Sequence, residues 1–175
     1  GQGSEPRAPG DFGHAALDAS VAELAQLGFW VWDQAAQRTV DVSPGMAQLF
    51  GLSRQGYLDG PGRPEQMFAW FHPDDRTRYR QIWHDQAQNG CRYRIEVRFL
   101  RQDGTVRHAR EIGDPVQGPD GRLRWIVGTF QDITETKTRE RELEQRVREQ
   151  SALADIANET LRYREPAPLW EAVVR

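Results

Sequence analysis

One cysteine, Cys91, leaves no partner for a disulfide within the chain, and a reducing compartment is expected. No apolar run approaches the roughly 20 residues that a membrane-spanning helix needs. No basic start followed by an apolar stretch marks a signal peptide. The net charge of −3 gives no general attraction to nucleic acid or to an anionic membrane. There is no glycine-rich phosphate loop, no Ser-His-Asp set and no pair of carboxylates in an apolar frame. Four scattered histidines and one cysteine do not make a metal site. These absences point to a cytoplasmic protein with no catalytic residues, no metal and no membrane insertion of its own.

Apolar residues make up 38% of the 175 and charged residues 28%, and the shortage of apolar side chains is uneven. Residues 1–15 are a flexible lead rich in Gly and Pro, and His14 lies in it. Residues 135–149 are mostly charged. What remains, 16–134, has the length and composition of one globular domain.

Within it the pattern alternates between helix and strand. Asp18 can cap a helix that carries Val21, Leu24 and Leu27 at helical spacing and stops at Gly28. Phe29–Trp32 and Thr39–Val42 read as a hairpin. Ser43-Pro44 opens a helix with Met46, Leu49 and Phe50 on one face. Residues 53–64, with three glycines and two prolines, read as a mobile loop. A short apolar helix follows from Pro64 to Phe71. Asp74 then caps a longer one over 75–88, with Tyr79, Ile82, Trp83 and Ala87 as its stripe.

Tyr93, Ile95, Val97 and Phe99 alternate with Arg92, Arg94, Glu96 and Arg98, as in a strand whose faces meet different surroundings. Asp103-Gly104 predicts a two-residue hairpin turn, which would set His108 opposite Phe99 and Arg110 opposite Val97. Strands over 105–112 and 123–132 follow, separated by Pro119-Asp120-Gly121. Three long antiparallel strands at the end and two short ones at the front, with helices between, make the class α+β.

After Thr134 the chemistry changes. Leu143, Val147, Ala154, Ala157 and Leu161 fall on an a/d seam, flanked by Glu–Arg pairs four residues apart. Such a helix has too little apolar surface to stand alone. Residues 135–163 are therefore expected to be a coiled-coil linker, with a second copy of the chain as partner. A homodimer through the flanking helices follows.

His72-Pro73-Asp74-Asp75, Glu96-Val97-Arg98, Asp103-Gly104, Asp120-Gly121, Gly128 and Asp132-Ile133-Thr134 resemble, in order and spacing, the PAS domains that end in a PAC motif. The resemblance spans about 27–137. It implies a five-stranded antiparallel sheet with helices over one face and a sensing or interaction role, with no particular ligand. One position departs from the pattern: His108 stands where the family usually has Trp. The last residues, 164–175, resemble the start of a GAF domain, as expected for a piece of a longer protein.

The resemblance makes Asp132 and Thr134 relay candidates. Asp132 would pair with a basic group on a neighbouring strand, Arg98 being the candidate, and Thr134 would cap the outgoing helix. Phe50, Met67, Trp70, Phe71, Tyr79, Trp83 and Trp125 would surround the space between helices and sheet, either as a small-molecule pocket or as a filled core. His108 and Arg110 would either enter that space or lie on the outer face, the latter being expected. A flavin is not expected, because Cys91 stands at a strand start and not on a helix; it reads as a small buried or half-buried thiol. Haem is not expected either, because His84 lies off the apolar stripe of the long helix. The reading is a sensory module that relays ligand or partner state through a coiled coil to an output domain of diguanylate cyclase or histidine kinase type. Its alternative is a ligand-free dimerisation module.

Overall fold

The structure, a computed structural model, describes residues 27–162. The expected helix over 18–27, the flexible lead and the GAF-like tail fall wholly or mainly outside these residues. Leu27 falls inside and belongs to a strand, not to that helix.

Five strands form one antiparallel sheet: β1 (Leu27–Asp33), β2 (Arg38–Val42), β3 (Tyr93–Leu100), β4 (Val106–Gln117) and β5 (Leu123–Asp132), in the order β2-β1-β5-β4-β3. Between β2 and β3 run α1 (Pro44–Leu49), α2 (Arg54–Asp59), α3 (Pro64–Met67), a 3₁₀ turn (Phe68–Trp70) and α4 (Pro73–Asn89). The last element is α5 (Thr134–Arg162). The chain divides at Thr134/Glu135 into two compact units. No helix among the described residues is long and apolar enough to cross a membrane.

The Gly-rich segment expected to be a loop holds a helix. Ser53 Oγ accepts the Gly56 N–H at 3.0 Å, and the turn that follows buries Tyr57. An N-cap and one large aromatic side chain outweigh the glycines. The long helix starts at Pro73, one residue before the expected cap. Its proline needs no intrahelical N–H partner there.

The β3–β4 hairpin differs from expectation by one residue. Leu100 pairs with Val106, and Arg101 N–H donates to the Thr105 carbonyl at 2.9 Å. The loop is thus Gln102-Asp103-Gly104, with Gly104 at φ +81°. Three residues with glycine in the left-handed region is a common hairpin closure. His108 therefore pairs with Arg98 and Arg110 with Glu96. β4 also runs to Gln117, beyond the expected end at Ile112. Pro115 is tolerated because β3 stops pairing at Gly113, so that edge needs no ladder donor.

Alternation then decides the faces. Trp30, Trp32, Ile95, Val97, Phe99, Ala109, Ile126 and Phe130 turn toward the helices. There Phe50, Phe99 and Phe130 pack with ring centroids 4.9–5.5 Å apart. His108 and Arg110 lie on the opposite face, and Arg110 pairs there with Glu96 at 2.8 Å. Cys91 is exposed, not buried, because it precedes β3 in the link after Asn89-Gly90.

Candidate functional site

Two places concentrate polar chemistry. The first is the seam where β5 becomes α5. Asp132 is the last β5 residue in the β4 ladder, opposite Ala109. Its side chain is 1% exposed. Oδ2 accepts from Arg107 Nη1 at 2.8 Å, and Oδ1 accepts the Thr134 N–H at 2.8 Å. Thr134 Oγ1 accepts the His108 N–H at 2.9 Å, and the Ile133 N–H donates to the His108 carbonyl at 2.9 Å. The helix start is thus bonded to β4 directly at His108 and, through Asp132, at Arg107.

The basic partner of Asp132 is Arg107, not Arg98. Arg107 lies on β4, the neighbour of β5, whereas Arg98 sits on β3, with β4 between it and β5. Arg98 instead grips the start of α4. Its Nη2 lies 2.8 Å from Asp75 Oδ1, its Nε 3.1 Å from Asp75 Oδ2, and its backbone N–H donates to Asp75 Oδ2 at 2.8 Å. Asp74 adds a longer contact at 3.3 Å. Hydrogen bonds from Arg98 hold the Asp75 carboxyl below the usual carboxylate range, against a smaller opposing effect of burial. The two acids of His-Pro-Asp-Asp therefore clamp α4 to β3. At the start of α5 the Asp132 carboxylate accepts the Thr134 N–H, while the Thr134 hydroxyl accepts from β4.

The second place is a cavity of about 20 Å³ between helices and sheet. It is large enough for about one water molecule. Phe50, Met67, Trp70, Phe71, Tyr79 and Trp83 all line it. Trp125 does not. Its neighbour Ile126 points into the core, so period-two alternation puts the Trp125 ring on the other face, with the Arg124 guanidinium 5.2 Å from its centroid.

Glu111 lines the cavity and is 2% exposed. Its Oε1 accepts from Tyr93 Oη at 2.7 Å and from Tyr79 Oη at 3.0 Å, and Tyr79 Oη is 2.9 Å from Oε2. Burial pushes the carboxyl up to about 7, although the two phenol donors pull the other way. Burial, and then the charge of Glu111, raises both phenols. The buried Trp83 indole, on the wall of the same cavity, packs edge-on against Tyr79 with ring centroids 6.3 Å apart. Room for the rings comes from Gly113 and Gly128, which face each other across β4 and β5. A Cβ on Gly113 would come within 2.3 Å of the Tyr93 ring, and one on Gly128 within 2.3 Å of the Trp30 ring.

Residues 39–130, more than half of the chain, match the family model described as PAS fold. The chain belongs to the PAS-fold family. Among curated relatives, this PAS domain is 29% identical over 129 residues to the peroxide stress-activated histidine kinase mak1 of Schizosaccharomyces pombe. The match covers 71% of the chain and 8% of that protein. It is 23% identical over 118 residues to the probable diguanylate cyclase DgcE of Escherichia coli, covering 66% of the chain and 10% of that protein. The chain thus spans about a tenth or less of the length of these relatives.

A sensory box histidine kinase/response regulator from Burkholderia thailandensis shares the fold at TM-score 0.58 and 22% identity, over 76% of this chain and 96% of that one. The N-terminal domain of a diguanylate cyclase with PAS/PAC sensor from Marinobacter aquaeolei does so at 0.58 and 18%, over 63% and 98%.

In this PAS domain the sequence reading missed Glu111. The signal was present: Ala109 and Phe130 are core residues by type, and a period of two from Ala109 carries Glu111 inward. On α5, Leu143 is 64% exposed and Val147 54%, with Ala154 and Ala157 also exposed; Leu161 lies in the same helix. Leu153 and Ile156, one residue before Ala154 and Ala157, are exposed as well and widen the apolar stripe.

Proposed function

We propose that this PAS domain is a sensory module whose state reaches an output domain of the longer protein through α5, paired with α5 of a second copy. The carrying observation is the bonded seam: β5 ends at Asp132, α5 begins at Thr134, and Asp132–Arg107 and His108–Thr134 tie that start to β4. A change of packing under β4 and β5 would move the helix start with them. The exposed Leu143, Val147, Leu153 and Ile156 support a partner helix, since a helix this polar gains little stability by itself. Output of diguanylate cyclase or histidine kinase type is favoured by the two curated relatives. We place the module in the cytoplasm, consistent with its free thiol at Cys91.

The test is Asp132→Ala in the full-length protein, with output measured across conditions that switch the wild type. Loss or locking of the switch is expected. Output indistinguishable from wild type in both states would sink the relay.

A second reading is a dimerisation module that takes no organic ligand. The cavity of about 20 Å³ favours it, because drug-sized ligands occupy several hundred Å³. Thermal shift across small metabolites separates the two: a specific stabiliser would eliminate the ligand-free reading.

A further inference from the structure

We propose that Glu111 is the sensing element of this domain and that its signal is acidification, taken up as one proton on the buried carboxylate. This rests on the sensory reading above and names its stimulus. The step is an uptake only: a proton from the medium binds one Glu111 oxygen, and the charge of −1 becomes zero.

The geometry leaves the carboxylate uncompensated. Tyr79 and Trp83 face it from α4, Tyr93 from β3, Tyr57 from α2, Thr39 from β2, Trp30 from β1 and Phe130 from β5. None of these is a cation. Among the described residues no arginine or lysine lines the cavity, and arginines of β4 and α4 are engaged elsewhere. Arg110 turns to the other face and pairs with Glu96. Arg107 is held by Asp132. On α4, Arg76 donates to the Phe71 and Ala69 carbonyls, and Arg80 lies 4.6 Å above the Phe68 ring. A carboxylate in such a place is stabilised by its two phenol donors alone and opposed by burial. The balance places its titration near neutral pH, where a cell's interior can shift it.

The cavity beside it selects for a small signal. About 20 Å³ admits a water, not an organic ligand, without rearrangement. Protonation also changes the bonding. As a carboxylate, Glu111 accepts from both tyrosines. As an acid, one of its oxygens becomes a donor and needs an acceptor, so at least one tyrosine bond must reverse or open. Tyr79 belongs to α4 and Tyr93 to β3, so the contact between helix and sheet changes there. Glu111 pairs with Phe130, and two residues along the same face Ala109 pairs with Asp132. The altered residue therefore lies on the strand pair that holds the start of α5.

The test is denaturant unfolding of the full 175-residue chain and of Glu111→Gln between pH 5 and pH 8.5, with the amide resonance of Thr134 followed over the same range. The folded carboxyl titrates above the unfolded one, so the fold binds the proton more tightly. Its stabilising effect is complete at acid pH and is lost as pH rises through about 7. The wild type should lose on the order of a hundredfold in its folding constant over this window relative to Glu111→Gln. The Thr134 resonance should titrate with the same midpoint in the wild type and stay fixed in the variant. Should Glu111→Gln fail to fold, Tyr93→Phe serves instead: loss of one donor to the carboxylate should move the midpoint upward.

Parallel pH profiles for wild type and Glu111→Gln would overturn the proposal. So would a Glu111 titration that leaves Thr134 unmoved. Stabilisation of the wild type at pH 8 by ammonium chloride beyond that by sodium chloride would overturn it in favour of a small cation. These readouts use the isolated chain, so their failure is separate from a failure of the Asp132 relay in the full-length protein.

Discussion

Arg107 and Asp132 meet at 2.8 Å just past the last rung of the β4–β5 ladder, with the guanidinium 40% exposed and the carboxylate 1% exposed. The pair is lopsided: the acid is fully committed to the fold and the base is half in water. Removing the acid strands the Thr134 N–H as well as the cation. Asp132→Ala should therefore lower stability by about 1–3 kcal/mol, the range for a buried group that loses its partners. Arg107→Ala should do less, because Asp132 keeps its bond to Thr134. Urea unfolding of the two variants checks the order, and an Arg107→Ala loss larger than that of Asp132→Ala would contradict it.

The Arg98–Asp75 clamp is a separate device at the start of α4. Asp75→Ala should loosen the start of α4 and leave the Thr134 environment unchanged, which amide hydrogen exchange can read. The pH sign is also determined. The folded carboxyl titrates below its ordinary value, chiefly because Arg98 donates to it. Its stabilising effect is therefore present above that ordinary value, near 4, and is lost as pH falls through the lower folded value. Wild type should lose more stability than Asp75→Ala in that acid range. Equal acid sensitivity would show that the clamp has no energetic role.

Gly113 and Gly128 should not tolerate a methyl group. Gly113→Ala would drive a Cβ into the Tyr93 ring, and Gly128→Ala would drive one into the Trp30 ring. Each should cost about 1–3 kcal/mol, as overpacked cores do. Gly113→Ala should in addition weaken the Tyr93–Glu111 bond, whereas Gly128→Ala should spare it. Tyrosine fluorescence and thermal denaturation together distinguish the two, and a neutral Gly113→Ala would mean that the ring relaxes freely.

Leu143→Asp combined with Val147→Asp should abolish pairing through α5. Both side chains are exposed and lie one turn apart. Light scattering at micromolar concentration should give a monomer for the variant and a dimer for the wild type. A variant that remains dimeric would move the interface away from this stripe.

The sheet, its five strands, the long helix and the final strand-to-helix passage were legible in the chain itself. Local rules govern them: period-two alternation over 93–99, a proline at a helix start, Asp-Gly at hairpins, a charged run after Thr134. Such signals act within a few residues and survive any tertiary context. The faces and partners were not legible. A single extra loop residue at Gln102-Asp103-Gly104 moved His108 from Phe99 to Arg98, and strand order put Arg107, not Arg98, beside Asp132. Ser53 and a buried Tyr57 made a helix where glycines predicted a loop. Glu111 became a buried acid only because β3, α2 and α4 bring three phenols over one position of β4. Burial is a property of what the rest of the chain lays on top, and no window of neighbouring residues contains it.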